Sequence, residues 1–88
     1  MHALVVQSTL NDPEAAVTFA REQVVPLVSG APGLVAGYWV RLAEGKGTSI
    51  VVFESEEAAR AMAEQVTPPP DGSVTADSVE VGEVVAHT

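Results

Sequence analysis

Residues 34–54, LVAGYWVRLAEGKGTSIVVFE, decide the fold. Two runs rich in β-branched and aromatic residues flank the short polar stretch Glu44-Gly45-Lys46-Gly47. That pattern predicts two antiparallel strands, over 34–42 and 48–54, joined by a hairpin whose glycine supplies the left-handed backbone such loops need. On the first strand Leu34, Ala36, Tyr38, Val40 and Leu42 share one face, and Val35, Gly37, Trp39 and Arg41 share the other. Neither face is wholly polar, so both are expected to be covered.

Outward from the hairpin, the chain reads as the same unit twice. Residues 3–10 (ALVVQSTL) predict a strand apolar on both faces up to Gln7. Asn11-Asp12-Pro13-Glu14 then starts a helix. Asp12 can cap it, Pro13 suits the first helical position, and Glu14 complements the helix dipole. Ala16, Phe19, Ala20, Val24, Leu27 and Val28 form its apolar stripe, which makes Phe19 an expected core residue. Pro26 removes the N–H that would bond the Glu22 carbonyl, so the helix should kink or restart there and stop by Gly30. After the hairpin, Ser55 should cap a second helix over 56–66, with Ala58, Ala59, Met62 and Val66 facing inward. Arg60 follows Glu56 by one turn, a small surface pairing. Three prolines, 68–70, make a stiff connector. Residues 78–87 (SVEVGEVVAH) are expected to form the fourth strand. One domain over 1–88 with a β-α-β-β-α-β order gives a ferredoxin-like α+β fold: a four-stranded antiparallel sheet with two helices on one face.

Composition narrows the partners. Twelve acids against four bases give a net charge of −8, and eight of the acids lie in the second half. Without a basic stripe, neither nucleic acid nor an anionic membrane surface is an expected partner. Cysteine is absent, which removes disulfides and thiolate chemistry. The opening MHALVVQSTL lacks the marks of a signal peptide, so a cytoplasmic location is expected. Yet 47% of the residues are hydrophobic, a large fraction for a chain that buries only about 60–65% of its surface alone. That excess, with strands apolar on both faces, predicts a homodimer joined through the sheets.

The turn Pro32-Gly33, the strand Leu34-Val35-Ala36-Gly37-Tyr38-Trp39 and the segment Val52-Phe53-Glu54-Ser55-Glu56-Glu57-Ala58 together resemble the dimeric α+β barrel superfamily. Within it the chain is most similar to small stand-alone domains of the antibiotic-biosynthesis-monooxygenase type. The resemblance implies two sheets facing each other across a two-fold axis, with helices outside and a ligand site between helices and sheet. It does not fix the chemistry, because the superfamily includes cofactor-independent monooxygenases, haem-degrading enzymes, isomerases and proteins without an established reaction. The haem-degrading members use a histidine on a helix as iron ligand, and neither helix of this chain has one.

Four residues are the candidate substrate-binding set: Tyr38, Trp39, Arg41 and Gln7. Tyr38 and Trp39 are adjacent and must point to opposite faces. Arg41 shares the face of Trp39, and the two suit an aromatic wall with a cation holding an anionic or phenolate ligand. The alternative is that the rings fill core or interface volume and Arg41 pairs with a carboxylate. Gln7 would orient a ligand carbonyl or bond across the dimer. Glu54 is a candidate base, or else a support for the hairpin. His2 and His87 are expected to approach each other across strands one and four, with no third metal ligand apparent. No nucleotide, metal or nucleophile motif is present, so no cofactor is expected. Two functions remain open: a binder of a small aromatic or apolar molecule with cofactor-independent monooxygenase chemistry, and a non-catalytic homodimeric assembly or regulatory protein without a substrate pocket.

Overall fold

A computed structural model describes residues 1–88. Four strands, β1 (His2–Leu10), β2 (Leu34–Arg41), β3 (Lys46–Phe53) and β4 (Val74–Glu83), form one sheet in the order β2-β3-β1-β4. Every neighbouring pair is antiparallel. The helical stretches fall between β1 and β2 and between β3 and β4, so the chain has the ferredoxin-like α+β order that its sequence pattern predicts.

At the central hairpin both turning residues, Glu44 (φ 59°) and Gly45 (φ 72°), are left-handed. Such a turn matches the twist of its flanking strands. The Lys46 N–H donates to the Ala43 carbonyl, and the Leu42 N–H to the Lys46 carbonyl. Pairing therefore resumes at Lys46, two residues earlier than expected. Gly47 is already in the strand, paired with Ser8 and Arg41, and a Cβ there would stand 3.2 Å from the Leu10 side chain.

The fourth strand departs from expectation. It spans Val74–Glu83 rather than 78–87. The connector is shorter than its three prolines suggest: it closes in a turn where the Gly72 N–H donates to the Pro69 carbonyl, with Gly72 at φ 77°. Asn11 then pins the strand start. The N–H groups of Asn11 and Asp12 both donate to the Ser73 carbonyl, and the Asn11 side-chain amide donates to the Gly72 carbonyl and the Thr75 hydroxyl. Pairing begins at once, Leu10 against Val74. A register shift after Gln7 accommodates Asp77, whose carboxylate accepts from the Thr9 hydroxyl at 2.7 Å. At the far end His2 pairs with Glu83, and His87 lies four residues beyond the strand. The ladder therefore stops short of His87 and does not set the two imidazoles opposite each other.

The first helical stretch has three parts. Helix α1 (Pro13–Phe19) starts as expected, with the Asp12 carboxylate accepting from the Ala15 N–H. A π turn follows over Ala20–Val24, in which the Val25 N–H reaches back to the Ala20 carbonyl. Helix α2 (Val25–Ser29) then carries Pro26 in its first turn and ends at Gly30. A proline cannot donate to the carbonyl one turn back, and the wide turn just before it absorbs the mismatch. Helix α3 (Glu56–Ala63) is capped by Ser55, whose hydroxyl accepts from the Ala58 N–H, and Arg60 pairs with Glu56 at 3.2 Å. No helix is long and apolar enough to cross a membrane.

The core joins Leu4 and Val6 of β1, Val51 and Phe53 of β3, Val28 of α2, and Ala59 and Met62 of α3. Phe53 is completely buried. Phe19 is not part of it, contrary to expectation; it is half-buried and faces open space. Helix α3 packs closely on β1, β3 and β4, whereas α1 stands off the sheet and the stretch reaches the core through Val28, with Val24 alongside.

Candidate functional site

The register sorts the sheet into two faces. Tyr38 pairs with Ile50, Val40 and Gln7 with Thr48, and Val5 with Ile50. These residues share the face that carries no helix. Trp39 pairs with Ser49, and Gly37 with Val51, on the helix side. Adjacent aromatics thus point apart, and Trp39 is the one beneath the helices. Tyr38 is 63% exposed on the open face.

Where α1 stands off the sheet, a cleft of about 1000 Å³ opens. Leu4, Val6, Trp39 and Val51 contribute to its floor, and Phe19, Arg21 and Val24 to its helical wall. Met62, Val66 and the three prolines line its end, so the stiff connector also serves as a wall. Of the candidate set, the structure brings Trp39 and Arg41 together in the cleft. Tyr38 and Gln7 lie outside it, on the opposite face of the sheet. Glu54 is exposed and does not line it.

Trp39 is positioned by Gly37. A Cβ on Gly37 would stand 3.1 Å from the indole ring. The ring therefore lies across bare backbone, a place only glycine leaves free. Gly37→Ala is expected to displace the indole and destabilise the protein by about 1–3 kcal/mol, as overpacking does. Chemical denaturation with Trp39 emission as the probe checks this; unchanged stability and an unchanged emission maximum would mean the ring lies elsewhere.

The charges are distributed unevenly. Of the four basic side chains, Arg60 pairs with Glu56 and Lys46 with Asp77. The other two, Arg21 and Arg41, both line the cleft and neither has an ion-pair partner. None of the twelve acids lines it. A protein of net charge −8 thus turns its two unpaired cations toward one apolar hollow. The remaining polar lining consists of hydroxyls and amides such as Ser8, Gln23, Ser49 and Gln65. No histidine, cysteine, tyrosine, lysine or carboxylate is present there to move a proton or hold a metal. No cluster of three or more metal-ligating side chains occurs anywhere in the chain.

Arg21 and Phe19 are the cleft residues that sequence reasoning missed. One signal pointed to Arg21: no acid stands three or four residues from it on either side, unlike Arg60 with Glu56. An arginine on a helix without such a neighbour is free to serve another partner.

No family model matches the sequence, and no curated protein matches it. Solved structures do. An arginine-to-serine variant of MhuD with two manganese protoporphyrin IX molecules bound per active site superposes with a TM-score of 0.72 at 20% identity, covering 100% of this chain and 98% of that one. The haem-degrader MhuD from Mycobacterium tuberculosis, with two haems bound in its active site, gives 0.71 at 20% identity, covering 100% and 99%. A haem-free form of the Mycobacterium tuberculosis haem-degrading protein, with the protein cleaved, gives 0.63 at 22% identity, covering 100% and 99%. At such identities the likeness is one of architecture, and it runs from end to end: the chain has the ferredoxin-like α+β fold of these structures.

Proposed function

We propose that this protein binds an anionic, largely aromatic small molecule in the cleft between its helices and its sheet, and that it does so as a homodimer. The observation that carries the reading is the pair of unpaired arginines, Arg21 and Arg41, in an apolar cleft that no acid lines. A guanidinium without a carboxylate partner favours an incoming anion, and its planar fork suits carboxylate or phenolate oxygens. Low-dielectric walls concentrate that field despite the negative net charge. Trp39 and Phe19 offer ring faces for an aromatic ligand. A pocketless assembly protein would have this space filled; a cleft well above the ~300 Å³ of a small ligand site supports the binding reading instead.

The chemistry available is narrower than that of an acid–base enzyme. Cofactor-independent oxygenation, one of the several activities of the superfamily the chain resembles, begins from a phenolate-like anion. Two guanidiniums stabilise such an anion, but no lining side chain takes up a proton at neutral pH, because arginine stays protonated. The cleft therefore favours ligands that are already anionic in solution. Haem, which one of the similar structures holds, fits these residues only in part. The apolar walls and two cations suit a porphyrin ring and its carboxylates. The iron is not suited, since the lining has no histidine, cysteine, tyrosine or carboxylate to bind it.

The second copy is assigned to the helix-free face. There Tyr38, Val40 and Ile50 are 63%, 42% and 39% exposed, beside half-buried Val5 and Val52. A face so apolar on a small protein calls for a cover.

Titration of an aromatic panel against the emission of Trp39, the single tryptophan, tests the binding reading. Aromatic carboxylates and phenolates should quench it saturably. Arg41→Ala should weaken binding about tenfold, and Arg60→Ala, whose partner is Glu56, should not. A panel without saturable quenching would overturn the reading.

A further inference from the structure

The two helical layers hold to the sheet very differently. Helix α3 packs along β1, β3 and β4 and buries Ala59 and Met62 in the core. The first helical stretch, Pro13–Ser29, gives the core only Val28, with Val24 beside it. Its two ends are nevertheless tied down. Before it, the N–H groups of Asn11 and Asp12 donate to the Ser73 carbonyl at 2.8 and 3.1 Å. Near its end Val28 is buried, and the Val28 carbonyl accepts from the Ala31 N–H at 2.9 Å. Between these anchors lies the π turn Ala20–Val24, with Pro26 just beyond it. A wide turn beside a proline that cannot donate is where a helix bends most easily. The stretch is built as a strap: held at both ends, soft in the middle, and bordering the cleft with Phe19, Arg21 and Leu27.

The charges determine when such a strap closes. Arg21 rides on it, and Arg41 is fixed at the end of β2. Both line the cleft, and neither has an ion-pair partner. Over an empty cleft, drawing the strap down brings two like charges together between apolar walls, which is unfavourable. A bound anion turns that repulsion into attraction on both sides. It also gives half-buried Phe19 and exposed Leu27 an apolar surface to cover. We infer that Pro13–Ser29 is an anion-gated strap, open over the empty cleft and drawn closed when an anionic ligand bridges Arg21 and Arg41. The inference rests on the anionic-ligand reading above and adds what opens and closes the same site. A ligand shifts such an equilibrium only by its difference in affinity for the two states. Here that difference comes through Arg21, the one cation that moves with the strap.

The test is amide hydrogen exchange, followed by NMR, on the wild type and on Arg21→Gln, each free and with naphthoate. Naphthoate is set to the same fractional saturation in both, judged by Trp39 quenching, so that mass action stabilises both proteins equally. Amides of α3 then slow to the same extent in the two proteins and serve as the internal standard. In the free wild type, amides of residues 18–25 should exchange at least about tenfold faster than those of α3. Naphthoate should slow residues 18–25 about tenfold more in the wild type than in Arg21→Gln. Strap amides that exchange as slowly as α3 in the free protein would overturn the inference, because the strap would already be closed. Equal slowing of the strap in both proteins, or none in either, would overturn it too, while saturable quenching of Trp39 left the anionic-ligand reading standing. If naphthoate does not quench Trp39 at all, both fall.

Discussion

Ile50→Asp is expected to leave no folded protein at micromolar concentration. Ile50 sits in the middle of the helix-free face, between Val5 of β1 and Tyr38 of β2. In the proposed dimer this face meets its two-fold copy, in an apolar interface of about 2,000 Å² or more in total, the obligate class. A carboxylate there is buried twice, once from each subunit, without a partner; an uncompensated buried charge of this kind destabilises by about 3–5 kcal/mol. Because folding and association are coupled in such dimers, the wild-type melting temperature should also rise with protein concentration. Glu64→Gln, on the exposed end of α3, should change neither. Light scattering and circular dichroism together decide the matter. A variant that remains cooperatively folded with the mass of a monomer, or a wild type whose melting temperature ignores concentration, would remove the dimer from the account.

Phe53→Ala should produce the largest stability loss of any core truncation. Phe53 is the one large side chain with no exposed surface, and it packs among Leu4, Val51, Ala59 and Met62 where β3 meets α3. Deleting its ring removes the transfer energy of the buried atoms and leaves a cavity, about 3–5 kcal/mol in all. That is a large fraction of the ~5–15 kcal/mol that holds a small domain together. Phe19→Ala should lose clearly less, because Phe19 lines the cleft and is already half in solvent. Urea denaturation of both variants checks the order. A Phe19 loss equal to or above that of Phe53 would mean that α1 packs on the sheet in solution and that the cleft is closed.

The contrast between these two phenylalanines marks what was legible in the sequence. Local signals were: the repeated strand–helix–strand order, the Gly45 hairpin, and the Asp12 and Ser55 caps each depend on neighbouring residues. Phe19 sits on a proper apolar stripe, but a stripe reports only which side of a helix faces inward, not how far the helix stands from the sheet. That distance depends on packing between elements far apart in the sequence, and the π turn before Pro26 was hidden too, because an i→i+5 bond leaves no periodic trace over one turn. The start of β4 was hidden differently. Thr75 and Asp77 make 74–77 look like loop, and the Asn11 side chain, more than sixty residues away in sequence, holds it in register. At the site, side-chain alternation set Trp39 with Arg41 and against Tyr38 from the sequence alone. Which of the two faces lay beneath the helices required the sheet order. Gln7 fell on the face of Tyr38 for the same reason.

The central claim is that two unpaired arginines select an anion in an apolar cleft. The most direct test is calorimetric titration of naphthoate against naphthamide, two ligands of matched shape and different charge, on the wild type and on Arg21→Gln/Arg41→Gln. Each partly exposed guanidinium is expected to contribute about tenfold to affinity for the carboxylate. The wild type should therefore prefer naphthoate strongly, and the double variant should bind both ligands equally and weakly. Equal binding of the two ligands by the wild type, or a preference for naphthoate that survives loss of both arginines, would contradict it.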